Sequence, residues 1–259
     1  MSSSETTDPG QGHRRLGVWL VAAHLAVGLV LGWFTRWSVS VPPRYPDYAV
    51  FVLAGVVFAQ ACLIGIWTVF GSSPLLVRLI GLVASIVYLG TLFGFCIDEL
   101  RTEIVLMVAA TTISIAALLL APRCLGVELA AWETDAPAPH RTQFSIRQLL
   151  IFTAVVACLL AVGRRLWPAF GVAVFAVTVS FAPVGITAAW SLLGAKRVIP
   201  GLVVLFGVAI AVAYILPRVF PPAEPMSLWA AATLTAALTL AVTLGVLRSR
   251  GFRLRRQRR

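Results

Sequence analysis

The chain of 259 residues is 59% hydrophobic and only 12% charged, with a formal net charge of +11. Its mean hydropathy is +0.93. Soluble domains carry about 25% charged residues and about 45–50% apolar ones, so this composition excludes a soluble globular protein. Several apolar runs of about 20 residues predict transmembrane helices instead. These runs lack the alternation with period two that is typical of membrane barrels.

The first four predicted spans follow a polar segment, residues 1–15. The loop VPPRYPDY separates the first two spans, because proline cannot continue a helix. Ser73 is a suitable N-cap for the third span, with Pro74 at the first helical position. Thr102 is a suitable cap for the fourth span. The predicted bounds are Leu16–Phe34, Tyr48–Phe70, Pro74–Cys96 and Glu103–Leu120.

The segment FSIRQLLIFTAVVACLLAVGRRLWP, residues 144–168, carries a helix-start signature. Ser145 and Gln148 have the spacing of a capping box, and Phe144 and Leu149 that of a hydrophobic staple. A helix over 146–167 is about 33 Å long, close to the ~30 Å of a hydrocarbon core. A helix lying on the membrane surface collects its polar residues on one face. Here they are spread around the helix, so we predict that the segment crosses.

Three further spans complete the chain, over 168–194, 198–216 and 227–247, with the proline-rich turn PRVFPPAEP before the last. The predicted fold is therefore an all-α, polytopic helical membrane protein of about eight transmembrane helices, without a sizeable soluble domain. Its parts are a tail (1–15), a four-span half (16–120), a linker (121–143), a second four-span half (144–247) and a basic tail (248–259).

The distribution of basic residues predicts the orientation. Eight spans place both termini on one side, and cytoplasmic loops carry an excess of Lys and Arg. With both termini in the cytoplasm, 15 of the 21 basic residues lie inside and six outside. Seven of them lie in the tail RSRGFRLRRQRR, so the tail largely decides the count. We predict a multi-pass protein with both termini cytoplasmic.

The stretch QFSIRQLLIFTAVVACLLAV also carries a resemblance. It resembles the F-S-[IL]-R-x-L-L-x-x-T opening of uncharacterised polytopic membrane proteins of planctomycete-type bacteria, over about 20 residues. The resemblance implies a bacterial inner-membrane protein. It implies no chemistry for any residue.

Three residues are candidates for an intramembrane polar site: His24, Gln60 and Pro183. A titratable side chain within a span suggests a proton relay or a ligand contact, and transporters often bind substrates where a helix is broken. The alternative is structural, because buried histidines and amides also join helices by hydrogen bonds, and prolines also simply kink helices.

The remaining candidates concern partners. The tail arginines predict contact with anionic lipid headgroups, and no nucleic-acid-binding pattern accompanies them. Gly28 with Gly32, and Gly90 with Gly94, have the G-x-x-x-G spacing of close helix contacts and are candidate seams of a homo-oligomer. The arginines concerned are Arg253, Arg255, Arg256, Arg258 and Arg259.

Catalytic motifs are missing from the sequence. It has no H-E-x-x-H, Walker loop, G-x-G-x-x-G or G-x-S-x-G pattern. Its four cysteines have no C-x-x-C spacing, so neither a metal site nor a cofactor is predicted. The preferred hypothesis is a non-enzymatic membrane protein with a structural or interaction role. A transporter of small solutes or ions is the alternative.

Overall fold

A computed structural model of the chain describes residues 9–40, 46–71, 74–96, 102–124, 127–131, 176–194, 197–219 and 226–256. These residues form seven helices and two short strands. The last six residues of α5, Ala189–Gly194, are π-helical. The helices are α1 (Pro9–Ser40), α2 (Pro46–Phe70), α3 (Leu75–Cys96), α4 (Thr102–Cys124), α5 (Ala176–Gly194), α6 (Val198–Val219) and α7 (Met226–Ser249). The strands are β1 (Val127–Ala131) and β2 (Phe252–Arg256).

Helix α2 lies at the centre and packs against α1, α3, α4 and α7. Every residue from 55 to 62 is buried. Two glycines allow this close packing. A Cβ at Gly55 would lie 2.3 Å from the carbonyl oxygen of Ala232 in α7, and one at Gly65 would lie 3.2 Å from that of Thr112 in α4. Larger residues at these positions would force the helices apart.

Helices α5 and α6 also contain glycines at close contacts with neighbouring helices. A Cβ at Gly185 of α5 would lie 2.8 Å from Cys62 Sγ of α2. At Gly201 of α6 it would lie 2.3 Å from the carbonyl oxygen of Ser191, in the π-helical turn. Helix α6 packs against this turn and against α7. Its outer side is exposed and apolar, as expected for a surface that faces lipid.

Arginines join the carboxyl ends of several helices at one end of the bundle, which we call the arginine-rich end. Arg78, near the start of α3, donates from Nη1 to the carbonyl oxygens of Thr68 and Val69, at 2.8 and 3.2 Å. Arg123, at the end of α4, donates to the same Val69 carbonyl. Arg248, at the end of α7, donates to a carbonyl in the last turn of α5. These guanidinium groups bond carbonyls that a helix end leaves without a helical partner.

The opposite end of the bundle carries aromatic side chains. Tyr48, at the start of α2, donates to the hydroxyl of Ser227, at the start of α7, at 3.1 Å. The guanidinium of Arg36 in α1 donates to the carbonyl oxygen of Phe95 in α3 at 3.1 Å. It also lies 4.6 Å from the centre of the Phe95 ring. The two ends therefore differ in composition, and the sequence predicts the first to be cytoplasmic.

The two strands pair at the arginine-rich end. They are antiparallel, with Val127 opposite Arg256 and Ala131 opposite Phe252. The turn before β2 contains Gly251, whose φ of 89° favours glycine. Buried Val127 belongs to the main hydrophobic cluster, and half-buried Leu254 packs against it. β1 lies in the segment predicted as a linker and β2 in the predicted tail, so a small sheet accompanies the helices.

Among the described residues, five helices are long and apolar enough to cross a membrane, namely α2, α3, α5, α6 and α7. The apolar part of α4, Ile104–Leu120, is shorter. α1 covers the first predicted span, Leu16–Phe34, but is not among the five. The fifth predicted span, 146–167, lies outside the described residues. The multi-span helical architecture is confirmed, while the count of eight stays a prediction.

Candidate functional site

His24 and Gln60, two of the three predicted polar candidates, are in direct contact. Gln60 of α2 is only 5% exposed. It donates from Nε2 to the carbonyl oxygen of His24 in α1 at 3.1 Å. The His24 imidazole reaches a third helix, because its Nε2 lies 3.1 Å from the hydroxyl oxygen of Thr243 in α7. We call these three residues the His24 site. It joins α1, α2 and α7 through two polar contacts.

The His24 site lies well inside the bundle. Thr243 is six residues before the end of α7 at Ser249, and Gln60 is ten residues before the end of α2 at Phe70. At 1.5 Å per residue these positions are about 9 and 15 Å from the arginine-rich end. Polar groups at such depth need partners, since an unsatisfied group in an apolar medium costs several kcal/mol.

Helix α3 closes the site from a further side. Gly28 lies one turn after His24 and is buried. A Cβ there would lie 3.1 Å from Leu92 Cδ2, 3.6 Å from the Tyr88 hydroxyl and 3.9 Å from Gln60 Nε2. The glycine therefore lets α1 approach α3 closely enough for the imidazole and the amide to meet.

Pro183, the third predicted candidate, lies elsewhere. It is half-buried in α5, two residues after Phe181. The Phe181 carbonyl accepts a hydrogen bond from Cys62 Sγ at 3.7 Å. Cys62 is two residues after Gln60, about 200° around α2. Because Gln60 is directed towards α1 and Cys62 towards α5, the structure does not bring Pro183 to the His24 site.

Eight hydroxyl groups in the described helices bond within their own helix. Each donates to the carbonyl oxygen four residues earlier, a local arrangement that satisfies the hydroxyl without a ligand. Thr243 is different, because its hydroxyl forms a hydrogen bond with the side chain of His24 in another helix. The locally bonded residues are Thr35, Thr68, Thr91, Thr111, Thr112, Ser180, Thr233 and Thr239.

Sequence reasoning missed Thr243. It lies on the same face of α7 as Thr235 and Thr239, and that face indicates helix packing. No local signal distinguishes Thr243 from Thr239, whose hydroxyl bonds to the Thr235 carbonyl at 2.9 Å. The distinction depends on where α1 crosses α7, and the α7 sequence does not contain that information.

The chemistry available at the His24 site is that of hydrogen bonding. A neutral imidazole donates from one nitrogen and accepts at the other, so His24 and Thr243 can form their contact with either role. Among the residues that the structure describes, no group of three or more His, Cys, Asp or Glu side chains is arranged to hold a metal ion. The described geometry is therefore that of an interhelical contact.

The predicted partner residues are only partly described. Arg253, Arg255 and Arg256 lie in β2. The half-buried side chain of Arg253 takes part in a contact within the protein. Arg258 and Arg259 lie outside the described residues. Lipid contact by these arginines stays a prediction.

One glycine of each pair predicted as an oligomer seam faces a helix of the same chain. Gly28 faces α3, as described above, and a Cβ at Gly90 would lie 2.8 Å from Val105 Cγ2 in α4. Gly32 and Gly94 are also buried. Homo-oligomerisation through these pairs stays a prediction.

Comparisons with known proteins give no assignment. No family model, curated protein or solved structure that we compared with the chain matches it.

Proposed function

We propose that this chain is a multi-pass integral membrane protein with a structural or interaction role and no catalytic activity of its own. The observation that carries the proposal is the pairing of His24 with Thr243 and of Gln60 with His24. The three polar residues of the His24 site join helices to one another. Interhelical hydrogen bonds of this kind stabilise membrane bundles by about 0.6 kcal/mol on average.

The charge distribution supports an orientation with the arginine-rich end in the cytoplasm. Among the described residues, ten arginines lie towards that end: Arg14, Arg15, Arg78, Arg123, Arg197, Arg248, Arg250, Arg253, Arg255 and Arg256. Arg36 and Arg218 lie towards the other. Cytoplasmic segments carry such an excess. With the resemblance of residues 144–150 to planctomycete-type membrane proteins, it supports a location in a bacterial inner membrane.

A pair of reporters tests the orientation. One reporter is active only in the cytoplasm and the other only outside it, and each is fused after residue 259 in a separate fusion protein. We expect activity from the cytoplasmic reporter only. Activity of the external reporter alone would contradict the prediction of eight spans with both termini in the cytoplasm.

Transport of a small solute or ion is the second candidate. The observation in its favour is a titratable side chain, His24, beside a buried amide, Gln60, at the depth of a membrane interior. The test is a double variant, His24→Ala with Gln60→Leu, reconstituted into vesicles. Loss of solute uptake by the folded variant would favour transport over the structural role.

A matched control accompanies the flux experiment. Thr239→Val alters a hydroxyl that bonds within its own helix, one turn before Thr243. Its uptake is expected to equal that of the unaltered protein. If the unaltered protein and both variants show the same flux across a broad panel of solutes, the result counts against transport and in favour of the structural role.

A further inference from the structure

Two arginines from different helices converge at the arginine-rich end. Arg78 of α3 and Arg123 of α4 both donate from Nη1 to the carbonyl oxygen of Val69 at the end of α2. The two positive groups are therefore neighbours that share one acceptor. Like charges this close destabilise each other unless an anion lies between them or water screens them.

The pair retains unused hydrogen-bond donors. A guanidinium has five N–H groups. Among the described residues, the hydrogen bonds of Arg78 and Arg123 all leave from Nη1. Arg78 Nε is buried and has no partner among these residues. Both side chains are half-buried, so part of each is accessible from outside. This is an arrangement of donors that suits the oxygens of a phosphate group.

Acidic residues that could neutralise the pair are scarce in the described part of this end. Of the acidic positions in the described helices and strands, Asp47 and Glu103 lie at the starts of α2 and α4, at the opposite end. Glu128 lies in β1, where its backbone is paired with that of Arg255. Ten arginines and one acidic residue therefore belong to the described part of the arginine-rich end, which gives it a large excess of positive charge.

The start of α3 adds to the positive potential. The first N–H groups of a helix have no carbonyl partner within it and favour an anion. In α3 the regular pattern begins with Arg78 N, which donates to the Pro74 carbonyl at 3.2 Å. The main-chain N–H groups of residues 75–77 come before this first helical hydrogen bond. Arg78 therefore lies in the first turn of a helix whose amino end is at the same surface.

Apolar and aromatic side chains place the pair at the boundary of the apolar belt. Trp67 of α2 is 40% exposed, and Leu75 and Leu79 of α3 are 61% and 44% exposed. Tryptophan is enriched where a protein meets the headgroup layer of a bilayer. A ligand at Arg78 and Arg123 would therefore have its charged group at headgroup level and apolar protein surface beside it.

We propose that Arg78 and Arg123 form a binding site for the phosphate of an anionic phospholipid headgroup. The site is distinct from the basic tail, because its arginines come from α3 and α4 and are positioned by the end of α2. The proposed site gives the helical bundle a lipid partner, and this partner does not depend on the proposed structural role of the protein.

The test measures lipid retention by the full-length protein in neutral detergent. Native mass spectrometry compares phosphatidylglycerol with phosphatidylcholine, whose headgroup is zwitterionic. We expect preferential retention of phosphatidylglycerol, and a loss of about tenfold, or about 1.4 kcal/mol, in Arg78→Gln with Arg123→Gln, because both guanidinium groups are removed. The control Arg197→Gln removes an exposed charge at the same end. It should keep retention within about twofold, because lone surface charges contribute little.

Three outcomes would overturn the proposal. The first is equal retention of the two lipids by the unaltered protein. This outcome can be measured even if the double variant does not fold. A loss in Arg197→Gln as large as that in the folded double variant would assign the preference to overall charge. Displacement of phosphatidylglycerol by millimolar inorganic phosphate would assign the site to free phosphate instead of lipid. Retention in the presence of phosphate supports the lipid headgroup.

Discussion

Helices α2 and α6 are equally apolar and occupy opposite environments. Their mean hydropathies over the most apolar stretch are 2.5 and 2.6, yet 67% of that stretch is buried in α2 and 22% in α6. A Cβ at Gly55 of α2 would meet the backbone of α7, whereas a Cβ at Gly207 of α6 would meet nothing within 4 Å. Hydropathy therefore indicates which helices suit a membrane, but it does not indicate which helix is central.

The difference follows from the membrane as a solvent. Lipid tails are as apolar as leucine, so burying an apolar side chain against protein instead of lipid gains little transfer free energy. Close packing and hydrogen bonds then decide which helices pack together. In α2 the small residues lie where neighbouring backbones cross, which is what places it in the centre.

The largest effect is expected from replacing a glycine by alanine, once in the buried helix α2 and once in the exposed helix α6. Gly55→Ala places a Cβ 2.3 Å from the Ala232 carbonyl oxygen and 2.9 Å from Thr235 Cβ. Overpacking of this kind costs about 1–3 kcal/mol, so the unfolding midpoint in detergent should fall. Gly207→Ala lies in open space and should change stability by no more than about 1 kcal/mol, in the favourable direction. Equal midpoints for the two variants would contradict the comparison.

A smaller effect is expected from removing methyl groups. Val57 is fully buried in α2 and Val203 is 68% exposed in α6. Val57→Ala should cost about 1 kcal/mol, because the surrounding helices cannot fully close the cavity. Val203→Ala should lower the free energy of unfolding by about 0.3 kcal/mol at most, since lipid or detergent fills the space left by the methyl groups. The free energy of unfolding, measured by denaturant titration in detergent, tests both. A larger loss at Val203 would mean that α6 packs against a further protein surface.

The smallest effect concerns the polar contacts that supplement the packing. Thr243→Val keeps the shape of the side chain and removes the contact with His24, at an expected cost of about 0.6 kcal/mol. Thr239→Val removes a hydroxyl that bonds within its own helix and should cost less. A double-mutant cycle with His24→Leu isolates the pair. A coupling free energy of zero would show that the His24–Thr243 contact does not stabilise the bundle.

The positions of the later helices were predictable because their signals are local. The sequence predicts spans over 198–216 and 227–247, and the structure has Val198–Val219 and Met226–Ser249. The predicted end before Pro217 is three residues early. Helix α6 continues through this proline, and the side chain of Arg218 donates to the Tyr214 carbonyl at 2.7 Å in the same turn. Proline removes a single backbone bond there, and the last turn tolerates it.

The contacts that define the candidate sites were not predictable from local patterns. His24 and Thr243 are 219 positions apart. Arg78 and Arg123 meet because both reach the end of α2, which depends on how three helices cross. A single sequence gives the type of each side chain and its place along a helix. The relative rotation of the helices, which decides the neighbours, depends on contacts along their whole length.

The pairing of β1 with β2 has a consequence for the order in which the protein assembles. Ala131 and Phe252, which are opposite each other in the sheet, are separated by about 120 residues of chain. At 5–20 residues per second, a ribosome needs about 6–24 s to synthesise that interval. During this time β1 presents a strand edge without its native partner, beside a membrane into which later helices are still being inserted. Docking of β2 against β1 therefore takes place only after all the described helices have been synthesised.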